Sequence, residues 1–266
     1  MKKIGVKNKN WWTGLVTSDN SNVEGFVLRE FTYKESSKII EVFTKNMGKI
    51  SIIAKGVLNK KNSNLSSTQR FVKSSYNLYK SGEKFFGIKD ASLIKSYSKS
   101  NKNFDIIIYK SAICDLLLRT IDFDQKELVY GLLDKTFDSF EKASENYLNI
   151  FLCFLLKYIS FSGFKPNLKE CSICGEKINP NNLYFSIEDG GLVCKSCRRS
   201  NYKMIYLTKE EYLFLLKLLY TPTDEVEKIK LKIEKKKLLN LITAYVLDCL
   251  EIRKFSSLDW VFKLVK

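Results

Sequence analysis

Histidine is missing from all 266 residues of this sequence. Its absence excludes serine or cysteine nucleophiles activated by imidazole, HExxH metalloproteases and His-containing zinc deaminases. No glycine-rich phosphate loop of the Walker or dinucleotide type is present, and no internal repeat. Carboxylates paired at ligand spacing are lacking too, which argues against a zinc-dependent hydrolase or nuclease, so no enzyme is expected. The most apolar run, residues 150–156, stops at Lys157, far short of the roughly twenty residues of a membrane span. Residues 4–9 are not the apolar stretch of a signal peptide, so a reducing, cytoplasmic setting is expected.

Seven cysteines are present. Cys114, Cys153 and Cys249 sit among Leu, Ile and Phe and read as inert buried thiols. The other four form Cys171-Ser-Ile-Cys174 and, after nineteen intervening residues, Cys194-Lys-Ser-Cys197. Each pair can bend round one ion, so the set reads as a single structural Zn2+ held by four thiolates. The spacer suits a hairpin: residues 183–187 alternate as a strand, Asp189-Gly190-Gly191 tolerates positive φ, and Leu192-Val193 begins the return. Gly175 suits the tight turn after the first pair. A catalytic zinc would keep one position open and usually draws on His.

Lys and Arg number 45 against 29 acidic residues, a net charge of +16, unevenly spread. Residues 24–100 carry an excess of +9 and residues 101–165 an excess of −1. Charge placed only for solubility would not spare the middle of the chain, so a polyanion partner is favoured.

Residues 1–23 form an N-terminal arm with Lys2, Lys3, Lys7 and Lys9 ahead of Trp11-Trp12, whose rings either pack on a flank or stack on bases. Residues 24–100 read as five short strands, at 25–31, 39–44, 49–54, 71–79 and 84–96, with turns at residues 46–48 and 81–83. Five strands in so short a block predict a small closed barrel of the OB-fold kind. Residues 55–64, polar and basic, form either a mobile phosphate-tracking loop or an ordinary solvated one. From residue 103 the period is helical. Residues 101–168 are the first part of a helical domain, with an apolar face of Phe104, Ile107, Ile108, Ala112, Leu116 and Ile121. Asp124 and Glu127 read as a capping box, and residues 145–161 as a buried core helix ended by Ser162-Gly163. The metal module spans residues 169–202, and residues 203–266 complete the helical domain. There, Thr208 and Glu211 cap a helix running to Tyr220, and residues 224–250 read as one or two more. Lys235-Lys236-Lys237 reads as a solvated helix face or a nucleic-acid contact. The fold class is therefore α+β multidomain.

Specific words add to this plan. Glu24-Gly25-Phe26-Val27-Leu28-Arg29, Tyr33-Lys34-Glu35-Ser36-Ser37-Lys38-Ile39, Thr44-Lys45-Asn46-Met47-Gly48-Lys49, Ala54-Lys55-Gly56 and Gly163-Phe164-Lys165-Pro166-Asn167-Leu168 resemble the conserved segments of the RecO family of bacterial recombination mediators. The resemblance covers about residues 24–266. Ser37 stands where the family usually has Asp, and the basic loop holds Lys and Asn in place of Arg and Pro. It implies a non-enzymatic role in homologous-recombination DNA repair, in a bacterial cytoplasm near the nucleoid. Members bind single- and double-stranded DNA, anneal complementary strands and engage the acidic tail of single-strand-binding protein. They also work with RecR to load RecA. Arg29, Lys34, Lys38, Lys45, Lys49, Lys55, Lys60, Lys61, Arg70 and Lys73 form the candidate DNA-contacting set, and Lys195, Arg198 and Arg199 could extend it. The alternative is a zinc-ribbon and OB-fold protein acting on RNA, for which surface aromatics such as Phe71, Tyr76 and Tyr79 would be the cue.

Overall fold

In a computed structural model of the chain, the residues described are 21–59, 62–120, 125–181, 183–199, 204–230 and 233–265. The arm's residues 1–20, Lys60, Lys61, Ile121 and Asp124 lie outside them. The chain divides into two compact units.

The first unit comprises residues up to Thr44 and Ile50–Lys95. Its strands are β1 (Ser21–Tyr33), β2 (Ser37–Thr44), β3 (Gly48–Ala54, whose first two residues are grouped with the second unit), β4 (Lys73–Ser81) and β5 (Phe85–Lys95). They close into a barrel in the order β1-β2-β3-β5-β4. The β3–β5 pair is parallel, at Ile52↔Phe86, while β1–β2, β1–β4 and β4–β5 are antiparallel. This is the expected OB-fold barrel. Alternation fills it: Phe26, Ile40, Val42, Ile52, Tyr76 and Leu78 are buried, each worth roughly 1.5–3 kcal/mol. Gly25 has no room for a Cβ, which would meet Val42 Cγ1 at 2.3 Å, so the glycine lets β1 and β2 approach.

The second unit comprises Lys45–Lys49 and Ser96–Lys266. Its helices are α1 (Phe104–Thr120), α2 (Lys126–Lys142), α3 (Tyr147–Phe161), α4 (Lys209–Tyr220), α5 (Lys235–Cys249) and α6 (Ser256–Leu264). α3 is the central one and packs on α1, α2, α4 and α5. Burial on all sides is why its sequence shows an unbroken apolar run rather than a stripe. Lys157 interrupts that run because its Nζ donates to Thr221 O at 2.6 Å, capping the carbonyl just past α4. After α3, Phe164 N donates to Ile159 O and Gly163 takes φ +91°, the Schellman ending expected there. Among the described residues no helix is long and apolar enough to cross a membrane.

Two helical expectations are corrected, the apolar face of the first helix and the helical reading from residue 224. α1 is buried nearly all round, and Phe104, counted on its apolar face, is 66% exposed at the helix start. α2 opens at Lys126 with Gln125 in the cap position and no cap bond from the Gln125 side chain, and the expected Asp124–Glu127 box rests on Asp124, which lies outside the described residues. Among the described residues of 224–234 there is no long helix. Val226–Lys228 is a 3-10 turn, and side chains at the start of α3 claim its carbonyls: Asn149 Nδ2 donates to Val226 O (3.1 Å) and Ile229 O (3.0 Å), and Asn146 Nδ2 to Glu227 O. α6 was not anticipated at all. The Thr208–Glu211 box does form, with Glu211 N donating to Thr208 Oγ1 (3.2 Å) and Thr208 N to Glu211 Oε2 (2.9 Å).

Candidate metal centre and nucleic-acid interface

The metal centre is built by a three-stranded antiparallel sheet in the order β7-β6-β8, with β6 Leu183–Ser186, β7 Gly191–Cys194 and β8 Met204–Leu207. Leu183, Phe185, Leu192, Val193 and Leu207 are buried, and Phe185 meets the α5 ring of Tyr245 edge-on at 5.4 Å. The hairpin between β6 and β7 is pinned by Ser186 Oγ, which donates to Asp189 Oδ2 at 2.6 Å, with Gly190 at φ +70°. Gly191 differs from the expectation: its φ is not positive, and it is required by close approach. A Cβ there would meet Asn167 O at 2.4 Å, where Leu192 N donates to Asn167 O and Ser172 N to Leu192 O. These bonds lay the first cysteine pair against β7, which ends at Cys194, with Cys197 in the 3-10 turn that follows. Gly175, at φ +75°, donates its N–H to Cys171 O and closes the first loop.

The result is one cluster. The sulfurs of Cys171, Cys174, Cys194 and Cys197 all lie within 4.8 Å of one another, so the four can hold one metal ion. The thiols titrate far apart. Against the burial that would raise it, backbone N–H groups of Cys174, Cys194 and Ile173 bring Cys171 down to about 6. Sharing hydrogen bonds with Cys174 and Cys194 pushes Cys197 up to about 12. Four sulfurs this close cannot all ionise without a cation among them, and a bound dication removes that conflict.

The candidate DNA contacts are distributed as follows. Lys34, Lys45 and Lys55 are exposed. Arg29 lies 3.8 Å from Glu41, Lys38 Nζ donates to Glu30, and Lys73 sits 5.6 Å from the Phe26 ring centre. Arg70 Nε donates to Leu28 O at 3.0 Å and its guanidinium covers the Phe71 ring. Lys49 belongs to the second unit, where its Nζ donates to Leu118 O at 2.9 Å. The described part of the basic loop is fastened: Val57 is buried, Leu58 N donates to Ser36 O and Gly56 N to Ser37 Oγ. The Ser37 hydroxyl is thus an acceptor for the loop backbone.

Beyond the barrel, Arg198 stacks on Tyr184 with its guanidinium 4.8 Å from the ring centre, and Lys195 and Arg199 are exposed. Lys237 is bound to the buried carboxylate of Glu211 at 2.6 Å instead of being a solvated lysine. Of the three aromatics named as surface cues, Phe71 and Tyr76 are core residues. Tyr76 is 0% exposed and donates to Ser67 O, and Tyr79 lies over Gly87. The exposed barrel aromatics are Phe31 and Tyr33, with Arg29 and Lys34 over their rings. Their signal was strand alternation past Leu28, which places residues 29, 31 and 33 on one face.

Both parts of the chain match family models. The model described as Recombination protein O N terminal matches residues 19–97, and the one described as Recombination protein O C terminal matches residues 101–259. The chain is 29% identical over 243 residues to DNA repair protein RecO of Caldanaerobacter subterraneus subsp. tengcongensis, covering 91% of this chain and 97% of that one. It is 30% identical over 197 residues to DNA repair protein RecO of Clostridium novyi, covering 73% and 76%. The protein of the same name from Alkaliphilus metalliredigens is 28% identical over 243 residues, covering 91% and 98%.

Proposed function

The chain belongs to the RecO family, a DNA-repair family, and from that membership we propose that it is a non-enzymatic recombination mediator. In this reading it binds single- and double-stranded DNA, anneals complementary strands, and helps RecR load RecA onto DNA coated with single-strand-binding protein, in the bacterial cytoplasm. The observation that carries it is the +9 excess within residues 24–100, most of which form the barrel, including the exposed barrel lysines Lys34 and Lys55. Such a surface binds phosphates without reading sequence, with log affinity on single strands falling by about 0.7 per log unit of salt for each phosphate neutralised. Annealing follows from the same charge. Two strands held along one cationic surface repel each other less, which lowers the cost of bringing complementary bases together. Charge reversal at Lys55, Lys60 and Lys61 together weakens binding to both DNA forms and flattens the salt slope. Unchanged affinity and slope in that variant would remove the loop from the interface.

The ion we assign to the cysteine cluster is a single structural Zn2+. Two sulfurs at about 2.3 Å from a tetrahedral zinc lie roughly 3.8 Å apart, and Cys174 and Cys194 Sγ are separated by 3.8 Å. Four thiolates leave no position for water, so the ion fastens the module and supplies no Lewis acid to a substrate. About one equivalent of zinc should copurify, and chelation should lower the melting temperature. Less than about half an equivalent would contradict a filled site.

For the acidic tail of single-strand-binding protein, the second unit offers an open depression of about 460 Å3 lined by Lys217, Thr221, Glu225, Lys228, Ile229 and Lys230. Its rim is net positive, with Lys217 and Lys228, Lys230 paired with Glu145 at 3.0 Å, and one carboxylate, Glu225, round one apolar side chain, which suits an acidic peptide with apolar residues. Reversing Lys217, Lys228 and Lys230 should abolish binding of such a peptide while leaving naked-DNA binding intact. Retained peptide binding would move the tail elsewhere.

A further inference from the structure

β1 and β2 run on together beyond the part of β1 that pairs with β4. The β1–β4 register ends at Phe26↔Lys73, whereas β1–β2 pairing continues to Tyr33↔Ser37. A register shift between Val27 and Arg29 resets the alternation, so Arg29, Phe31 and Tyr33 share one face of the projecting ribbon. Phe31 is 47% exposed and Tyr33 38% exposed, and they are the exposed aromatic rings among the described residues of the barrel, where Leu93 and Ile94 of β5 are the other large exposed apolar side chains. Arg29 lies over the Phe31 ring at 5.7 Å and Lys34 over the Tyr33 ring at 5.5 Å, so each ring is bordered by a cation. The bonds from Leu58 N to Ser36 O and from Gly56 N to Ser37 Oγ moor the loop carrying the exposed Lys55 to the turn of this ribbon.

We propose that Phe31 and Tyr33 are a stacking platform for two successive bases of a single strand, so that the ribbon makes the barrel prefer single-stranded over duplex DNA. The proposal rests on the reading of the barrel as a DNA-binding surface and adds what that surface recognises. Three features favour bases as the occupant. The rings are two residues apart on a strand, roughly 6.8 Å, about twice the ~3.4 Å spacing of stacked bases along a duplex strand. An extended single strand can place one base on each ring, whereas duplex bases already have both faces covered. Exposed cations lie close by, Lys34 in the turn beside the exposed carboxylate of Glu35, and Lys55 in the loop moored to it. Arg29 and Lys38 are partly compensated by Glu41 and Glu30, so the ribbon's own contribution must come largely from its rings and be insensitive to salt.

The test is fluorescence anisotropy with two probes of equal phosphate count, a thymidine oligonucleotide and the same strand with abasic sites throughout. The wild-type chain should bind the base-bearing strand at least about tenfold more tightly. Phe31→Ala/Tyr33→Ala should erase that preference while leaving affinity for the abasic strand and the salt slope unchanged. Phe31→Tyr/Tyr33→Phe, which keeps both rings, should preserve it, showing that the loss is not misfolding. A double-alanine variant that keeps the preference overturns the proposal. So does a wild-type chain that binds both strands equally, which would leave DNA binding standing and make the rings a protein contact. Wild-type protein that binds neither strand would overturn the barrel reading itself, and this proposal with it.

Discussion

At the scale of single residues, Lys110 has the least ordinary environment. It is 0% exposed in α1, its Nζ donating to Ser100 Oγ at 2.5 Å and Asn101 Oδ1 at 3.0 Å, between the rings of Phe137 and Tyr97 at 4.8 and 5.0 Å. Burial pulls its amine down to about 7, opposed by the attraction of Glu141. Between that value and the ordinary 10.5, the unfolded chain binds more protons than the folded one, so folding stability rises with pH across this window. Below pH 7 both states hold the proton and the cost of burying the charge is fully present. From pH 7 to 9 the wild-type protein should gain about 2 kcal/mol over Lys110→Met in urea denaturation. Parallel pH profiles for the two would mean that Lys110 is solvated. Sequence reading could not find this residue, because a lysine in an apolar helix looks like any surface lysine until its partners, contributed by residues 97–101 and α2, are known. The four metal-binding cysteines were legible for the opposite reason: their spacing is itself the geometry.

At the scale of elements, the metal module depends on backbone contact between Asn167 and Gly191. Gly191→Ala would place a Cβ 2.4 Å from Asn167 O and 2.8 Å from Asn167 N, neither of which is a flexible side chain able to move aside. The variant should lower metal affinity at least about tenfold, measured by competition with a chromophoric chelator, because the two cysteine loops are pushed apart. Unchanged affinity would show that the module absorbs the shift. Elsewhere, local chemistry was legible where it closes on itself, as in the Thr208–Glu211 box, and illegible where a distant element decides. Residues 224–234 carry helical spacing, yet Asn146 and Asn149 of α3 take their carbonyls. Asn149→Ala should cost about 1–3 kcal/mol by removing the side-chain donor to Ile229 O and to Val226 O, which then keeps only Ile229 N. A change below ~0.5 kcal/mol would show that water replaces it. The barrel aromatics were misread for a related reason. Alternation predicts two faces for a strand, but which face is core depends on bulges such as the one between Val27 and Arg29.

At the scale of the whole molecule, uneven charge was the sequence's best guide to function, and the fold gives it a location. The largest part of the excess, +9 of +16, falls in residues 24–100, which close into a barrel, while residues 101–165, nearly neutral, supply most of the helical core. Family membership supplies DNA repair, and the charge and the exposed rings supply a physical route to it. That route makes a claim that naked-DNA binding alone does not test, since any basic barrel binds phosphates. The most direct measurement is the rate at which two complementary oligonucleotides, each coated with the cognate single-strand-binding protein, anneal without ATP in the presence and absence of this chain. A recombination mediator should accelerate annealing through the coat, and reversal of Lys55, Lys60 and Lys61 should reduce that acceleration. Absence of any acceleration, with naked-DNA binding intact, would contradict the mediator account and leave a general nucleic-acid-binding protein in its place.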